Sequence, residues 1–463
     1  MSFNIREALE PLFEGLSSNL NDDQELAAAA RASVPGGRND SVTFGIVSSD
    51  ANDPSKECIV LSITVGVNGD VQSKLGMGGE SDADFVLHAR LADWKAFFAP
   101  KDQLVRPYQS YWGMLRVLGP LHKEVRIAGD TSAFARHNRV WRIALDRMRD
   151  VVNRKESPQS TLEASLPDDE EAEDVSTVGK YTWINHSEYG KVKLFYETSG
   201  SGPQIILFLH TAGSDSRQHH SLMENPTLRK TCTMYAFDLP AHGRSSLGTR
   251  QIPESYALTE KSYLESISLV ITKLRLAASN NLILCGASMA GHVCLAAAIH
   301  ARTLNVRGVI PCEGTAHLPF SQPIYEMKGS DSAILDPERV CGMIAPTSPE
   351  YYKRQIWWQY SSQGTNVFAG DLKFYFKGWD GRDRLGNVDT GFCPVYMLTG
   401  EYDYSCTTEA SEETAAMIPG AEFEAMKGLG HFPLTENPSA VLPYLLRAIE
   451  RIQKRREAAS NGS

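Results

Sequence analysis

The stretch Asn281-Leu282-Ile283-Leu284-Cys285-Gly286-Ala287-Ser288-Met289-Ala290-Gly291 decides how this chain folds. An apolar run ends at Cys285, small residues follow, and His292-Val293-Cys294-Leu295-Ala296-Ala297-Ala298-Ile299 then reads as a helix. Strand, sharp turn and helix form the context in which Gly-x-Ser-x-Gly presents a serine on a strained backbone. Such a turn demands small residues two positions either side of the serine. Gly286 and Ala290 stand there, the second as alanine where the pattern has glycine. A helix that begins just after Ser288 turns the Met289 amide toward the place where an oxyanion would form. The hexapeptide alone fits a plain Gly/Ser turn in a doubly wound sheet equally well, so its partners elsewhere in the chain must decide.

Outward from this turn, residues 179–457 alternate strands with helices. Lys191–Glu197, Gln204–Leu209, Met234–Asp238, Val306–Ile310 and Cys393–Thr399 read as strands, and about 258–277 as a helix. Continuous apolar strands separated by helices imply an α/β architecture: a mostly parallel sheet covered on both faces.

A serine hydroxyl is a poor nucleophile and needs a general base, and the base needs a carboxylate to hold its tautomer. In such a sheet the expected chain order is Ser, then Asp or Glu, then His, each just after a strand. Asp403, in Gly400-Glu401-Tyr402-Asp403, follows a strand, and Glu401 is the alternative acid. His431 lies in Gly428-Leu429-Gly430-His431-Phe432-Pro433-Leu434-Thr435-Glu436-Asn437-Pro438, where glycines let the loop return over the sheet edge. A second oxyanion donor should come from the loop after Leu209, His210-Thr211-Ala212-Gly213. Its candidates are the amides of Ala212 and Thr211. His210 and His242 read as structural.

These strings, with Asp238-Leu239-Pro240-Ala241-His242-Gly243-Arg244-Ser245, resemble the α/β-hydrolase fold family over residues 179–457. The resemblance implies Ser288 as nucleophile, His431 as base and Asp403 as orienting acid. Two departures, Thr211 and Ala290 in place of glycines, leave those roles intact. The expected chemistry is acyl transfer through a serine ester on an ester or lactone. Cleavage of a 1,3-diketone or closure of a lactone would use the same parts. The rival from another class is a non-catalytic ligand-binding protein on the same fold. No metal-ligand spacing or phosphate-cradling glycine loop is present, so no cofactor or metal is expected.

The segment between Ser288 and Asp403 is longer than strand, helix and strand require. The excess, about 314–388, reads as a helical lid rich in aromatic residues, among them Trp357, Trp358, Tyr360, Phe368, Tyr375 and Trp379. Rings over a site suit a small apolar or aromatic acyl substrate, and they equally suit a lid core. Trp357 and Trp358 are candidate substrate contacts. Arg217 is a third, able to meet a carboxylate or carbonyl oxygen, or else an ordinary surface arginine.

Residues 1–153 form a different, α+β segment. Ile5, Leu9, Leu12 and Phe13 suggest an amphipathic helix. Ser41–Ile46, Cys58–Val65 and Ala83–Ala89 suggest strands, with a hairpin turn at Asn68-Gly69-Asp70. Helices are expected at Trp94–Phe98 and about 131–152. This order of elements, with Met114–Gly119 leading to Val125–Asp130 and a long last helix, resembles the sterol-carrier-protein-like domain. The resemblance implies an apolar lipid pocket. The preferred alternative is a filled domain that braces the lid or pairs two copies as a homodimer. Residues 154–178 carry an acidic run and few large apolar side chains, and read as a flexible linker.

The 463 residues suffice for two domains, and a 42% apolar content for real cores. A net charge of −10 argues against a nucleic-acid partner, because binding phosphates needs a clustered cationic surface. The basic run Arg451–Arg456 sits where a helix C-terminus favours cations. Eight cysteines without a Cys-x-x-Cys pair suit buried thiols in a reducing compartment. With no signal-like N-terminus and no span of ~20 apolar residues, a cytoplasmic protein with no membrane span is expected.

Overall fold

A strand that is apolar throughout must be covered on both faces. In the computed structural model, which describes residues 20, 22–33, 40–48, 58–153, 177–318 and 336–461, Ile283–Ala287 is such a strand, with every residue buried. The described residues divide into two compact units, one up to Asn153 and one from Thr177 onward.

The second unit is built on an eight-stranded sheet. Its strands are β6 (Thr177–His186), β7 (Gly190–Ser199), β8 (Gln204–Leu209), β9 (Cys232–Phe237), β10 (Ile283–Ala287), β11 (Val309–Cys312), β12 (Tyr396–Gly400) and β13 (Glu422–Met426). They lie in the order β13-β12-β11-β10-β8-β9-β7-β6. Only the pairings β6 with β7 and β7 with β9 are antiparallel. Alternate residues feed opposite layers. Leu207 and Leu284 pack with Val293 and Ala297 of the helix Met289–Ile299 and with Ile267 and Val270 of the helix Glu260–Leu274. Ile206, Phe208, Ile283 and Cys285 face Val441, Leu445 and Ile449 of the helix Pro438–Asn461.

Register brings loops together. Gly286 pairs with Leu209 of β8 and Pro311 of β11, while Cys312 pairs with Leu398 and Gly400 with Met426. The chain therefore leaves β8, β10, β11, β12 and β13 at one carboxyl-terminal edge, where open α/β sheets place their ligands.

Between β11 and β12 runs the expected insertion. Residues 319–335 lie outside the described part. The remainder forms helices at Pro337–Cys341, Glu350–Ser361 and Val367–Lys373, the last passing into a π-helical turn at Phe374–Gly378.

The first unit holds a five-stranded sheet of β1 (Asp40–Ser48), β2 (Cys58–Val65), β3 (Val71–Gly78), β4 (Phe85–Ala89) and β5 (Arg126–Gly129), ordered β3-β2-β1-β4-β5. The helix expected at about 131–152 is two helices, Thr131–Arg136 and Asn138–Val152. The break falls at His137, whose Nδ1 meets Ser33 Oγ at 3.0 Å. The interior holds the rings of Trp94, Tyr111, Trp112, Phe134 and Trp141, with Phe134 stacked on Trp141 at 4.8 Å.

The expected N-terminal helix at 5–13 and the acidic stretch lie outside the described residues. Thr177 and Val178, expected in the linker, instead open β6. Cys58, Cys232, Cys285, Cys294, Cys312, Cys393 and Cys406 are buried thiols, and Cys341 is partly buried. The basic run is not at a helix terminus: the last helix continues to Asn461 and has no basic residue in its last turn, so the dipole does not explain it, and Arg451 instead pairs with Glu422 of β13 at 2.8 Å. Among the described residues no helix is long and apolar enough to cross a membrane.

One contact fixes the helix after β10 against β11. A Cβ placed on Gly291 would lie 2.2 Å from the Cys312 carbonyl oxygen, a backbone atom that cannot step aside. Gly291→Ala should therefore cost about 1–3 kcal/mol in chemical denaturation, the range for overpacked interiors. Unchanged stability would mean that the helix and β11 lie farther apart than described.

Candidate active site

Ser288 sits between β10 and its helix with φ +62° and ψ −121°. This conformation is unfavourable for a residue with a Cβ, and such strain costs of order 1–3 kcal/mol. The surroundings enforce it. The Ser288 amide donates to the Cys312 carbonyl at 3.0 Å. A Cβ on Gly286 would fall 2.5 Å from Ala290 Cβ and 2.8 Å from the Leu209 carbonyl oxygen. Gly286 thus supplies the space that Ala290 uses, which is why alanine is tolerated where the motif has glycine.

The structure brings Ser288, His431 and Asp403 together. His431 Nε2 lies 2.9 Å from Ser288 Oγ, and Nδ1 lies 2.7 Å from Asp403 Oδ2. An ionised carboxylate only accepts, so Nδ1 carries the proton and the Nε2 lone pair faces the serine hydroxyl, which donates. Asp403 Oδ1 accepts from the Ser405 amide at 2.7 Å. Burial works to raise the Asp403 carboxyl. His431, a hydrogen bond to Glu313 and the Ser405 amide outweigh it and hold the group below the usual aspartate value. Glu401, the alternative acid, is occupied elsewhere, accepting from the Gly428 amide at 2.7 Å.

The loop carrying His431 is clamped by a carboxylate given no role in the sequence reading. Glu436, fully buried, accepts from the amides of Gly430 at 2.5 Å and Phe432 at 3.3 Å, the two neighbours of His431. It also accepts from the Ala345 amide and the Ser348 hydroxyl of the insertion. Burial raises its carboxyl to about 7 despite these donors. The His431 amide itself donates to the Met343 carbonyl at 3.1 Å.

The loop after β8 carries the second pair of candidate donors. Thr211 does not serve as expected: its amide donates to Gln218 Oε1 at 2.8 Å, and its hydroxyl contacts Tyr360. Among the described residues the amides of Ala212 and Met289 have no such acceptor. Gly213 has φ +62°, and a Cβ there would strike the Phe368 ring at 2.7 Å. Its amide donates to Asp371 Oδ2 of the insertion at 2.8 Å. His210 braces this loop, donating from Nδ1 to the Thr211 carbonyl and accepting from the Leu239 amide at Nε2. Burial lowers its pKa to about 4, so it is neutral.

His242 contrasts with it. Nδ1 faces the Pro240 carbonyl at 3.0 Å and Nε2 faces Asp371 at 2.9 Å. Both partners accept, so both nitrogens donate and the ring is an imidazolium. Burial opposes that charge, and Asp371 outweighs burial to raise the pKa. Tyr256 also donates to Asp371, at 2.7 Å.

Arg217 and Trp358 are placed away from the expected substrate role. The Arg217 guanidinium grips Asp215 at 2.6 and 2.8 Å, donates to Ser362, and lies 4.7 Å above the Trp358 ring. Trp358 is 53% exposed, and Trp357 is partly buried on the same helix. The rings near His431 are Phe432 at 5.1 Å and Tyr375 at 6.5 Å, with Tyr360 packed on Phe432 at 5.7 Å. Tyr360 and Tyr375 were among the expected lid aromatics, but nothing in their pattern ranked them above the tryptophans.

Asp371 joins an insertion helix to Gly213, His242 and Tyr256. Asp371→Ala would leave a buried imidazolium uncompensated and two donors unpaired, at a cost of about 3–5 kcal/mol. A histidine pKa raised on folding stabilises fully below its unfolded value of 6.5, and that stability is lost as pH rises through the folded value. The gap between parent and variant in denaturation midpoints should therefore be widest below pH 6.5 and narrow above it. A gap independent of pH would mean that His242 is neutral in the parent.

The Alpha/beta hydrolase family matches residues 206–443, just over half of the chain. No curated protein matches. Solved structures that the chain is similar to include a thermophilic esterase from Thermogutta terrifontis, 20% identical, covering 59% of this chain and 99% of that one at a TM-score of 0.49. The enol-lactonase from Burkholderia xenovorans LB400 is 16% identical over 58% of this chain and 100% of that one, with a TM-score of 0.47. The bromoperoxidase from Bacillus anthracis is 18% identical over 58% and 100%, with a TM-score of 0.48. From the family match and the strand–turn–helix at Ser288, the chain belongs to the α/β-hydrolase family.

Proposed function

We propose that this protein is a serine hydrolase that cleaves esters or lactones with apolar or aromatic acyl groups through a covalent acyl-enzyme. The observation that carries the reading is the unbroken order Ser288 Oγ, His431 Nε2, His431 Nδ1, Asp403 Oδ2, with spacings of 2.9 and 2.7 Å. Ser288 attacks the substrate carbonyl carbon as its hydroxyl proton passes to His431 Nε2. The carbonyl π electrons move to oxygen, and the Met289 and Ala212 amides receive the oxyanion. Each such donor is worth about 3 kcal/mol of barrier. His431 then gives its proton to the leaving oxygen. Water, deprotonated by the same imidazole, releases the acyl group from Ser288.

The substrate class follows from the rings beside the imidazole, Phe432, Tyr375 and Tyr360. In this reading the insertion between β11 and β12 is a lid. Three of its groups, Tyr360, Asp371 and the Met343 carbonyl, touch the two loops that carry the reacting groups. Its position supports a role in shaping the site as well as covering it.

The test is turnover of p-nitrophenyl esters of graded chain length and of aryl lactones. Ser288→Ala should lower kcat by a factor of about 10⁴–10⁶ while leaving the melting temperature within a few degrees of the parent. Full activity in Ser288→Ala would refute the assignment. Binding of ester analogues without turnover in the parent would favour a ligand-binding role instead.

A further inference from the structure

The proposed acid of the site has a second carboxyl group beside it. Glu313 directly follows β11, and its amide donates to the Leu398 carbonyl of β12 at 2.9 Å. Its side chain turns to the same sheet edge as Asp403, where Oε1 accepts from the Gly400 amide at 2.9 Å. The carboxyl groups of Glu313 and Asp403 face each other close enough to share a hydrogen bond, and both are fully buried. Two ionised carboxylates offer acceptors and no donor, so a hydrogen bond between them requires one proton.

The geometry says where that proton resides. Asp403 has a donor at each oxygen, the Ser405 amide on Oδ1 and His431 Nδ1 on Oδ2. Glu313 Oε2 has no donor aimed at it. As an anion, that oxygen would be a buried, unsatisfied charge, at a cost of several kcal/mol. As a carboxylic acid, Oε2 carries a hydrogen that Asp403 accepts. The titratable groups facing the pair are His431, His292, Cys312, Cys406 and Tyr375. None of these is a lysine or arginine that would offset a second negative charge. Burial, then the neighbouring Asp403 charge, push the Glu313 carboxyl well above the ordinary glutamate value.

The backbone supplies an independent observation. Glu313 has φ +51°, the left-handed region that a glutamate seldom occupies. Non-glycine residues are held there when the surroundings over-determine them, commonly at functional sites. Here the strain directs a carboxyl group from the end of β11 onto the loop after β12.

We propose that Glu313 is a positioning residue of this site, a neutral carboxylic acid that donates a hydrogen bond to Asp403 and so holds the Asp403–His431 pair in its working protonation state. The proposal rests on the serine-hydrolase reading and deepens it. Were Glu313 ionised as well, two anions would face one imidazole and keep it protonated. A protonated His431 cannot take the Ser288 proton. With Glu313 neutral, the net charge on the acid pair is one, and the Nε2 lone pair stays available. During the reaction the Glu313 proton is retained: the protons that move, first from Ser288 and then from water, pass through His431 Nε2.

The experiment compares Glu313→Gln with Glu313→Ala by the pH dependence of kcat/KM on a p-nitrophenyl ester. The carboxamide has the shape of the acid, accepting from Gly400 at Oε1 and donating to Asp403 from Nε2. Glu313→Gln should therefore keep kcat/KM within about threefold of the parent and leave the acidic limb of the profile in place. Glu313→Ala removes the donor, leaves more charge on Asp403 and favours the imidazolium. Its acidic limb should rise by up to about one pH unit. A limb that falls by a unit or more in Glu313→Gln would show that a native anion had been removed, and would overturn the proposal. An unmoved limb in a folded Glu313→Ala would overturn it equally. If Glu313→Ala does not fold, the Glu313→Gln limb decides alone. If the parent turns over no ester, the functional reading fails separately. The far-downfield proton resonance of His431 Nδ1 then tests Glu313 without substrate. It should be present in the parent and unshifted in Glu313→Gln. A shift in Glu313→Gln would count against a neutral donor.

Discussion

The structure depends on how closely the backbone packs around Ser288. β8, β10, β11 and the helix Met289–Ile299 meet where a side chain on Gly286 would strike the Leu209 carbonyl and one on Gly291 would strike the Cys312 carbonyl. Two glycines let the helix start directly on the sheet edge. The serine between them is forced to a positive φ, and its amide is fixed to Cys312. Strand register does the rest. Parallel pairing of β10 with its neighbours sets the loops after β8, β11, β12 and β13 around that one residue.

Those loops are held by buried polar groups, each with named partners. Glu436 takes the amides on both sides of His431 and two donors from the insertion. Asp371 takes the Gly213 amide, Tyr256 and a charged His242. Buried carboxylates of this kind are tolerated only when their lone pairs are met, and once met they specify a single geometry. In both cases the carboxylate joins the helical insertion to a loop of the sheet edge. Displacement of the insertion would therefore disturb the backbone beside His431 and beside Ala212 together.

The sequence was most legible where strands are apolar and central. β8, β9, β10 and β12 were each read within a few residues. The strands not named in advance were β3, β5, β6 and β13, and all four lie at sheet edges. An edge strand has one free flank and carries polar residues along it, as in Glu422-Phe423-Glu424-Ala425-Met426, so its period is blurred. Ser288, His431 and Asp403 could be found from chain order and flanking motif. Glu313, Asp371 and Glu436 could not, since in sequence a lone acid reads as a solvated surface charge. Only register and loop closure show that each is buried against amides. Arg217 and Trp358 are residue types that meet ligands, and here they contact Asp215 and each other.

In the proposed mechanism Ser288 is the residue made nucleophilic by its neighbours. The most direct measurement is peptide mass mapping after reaction with a fluorophosphonate probe. One equivalent of adduct is expected, on the peptide carrying Ser288 and on that hydroxyl, and lost when the probe is added in acid. Adduct at another residue, or a Ser288 that stays unlabelled in the folded protein at neutral pH, would contradict it.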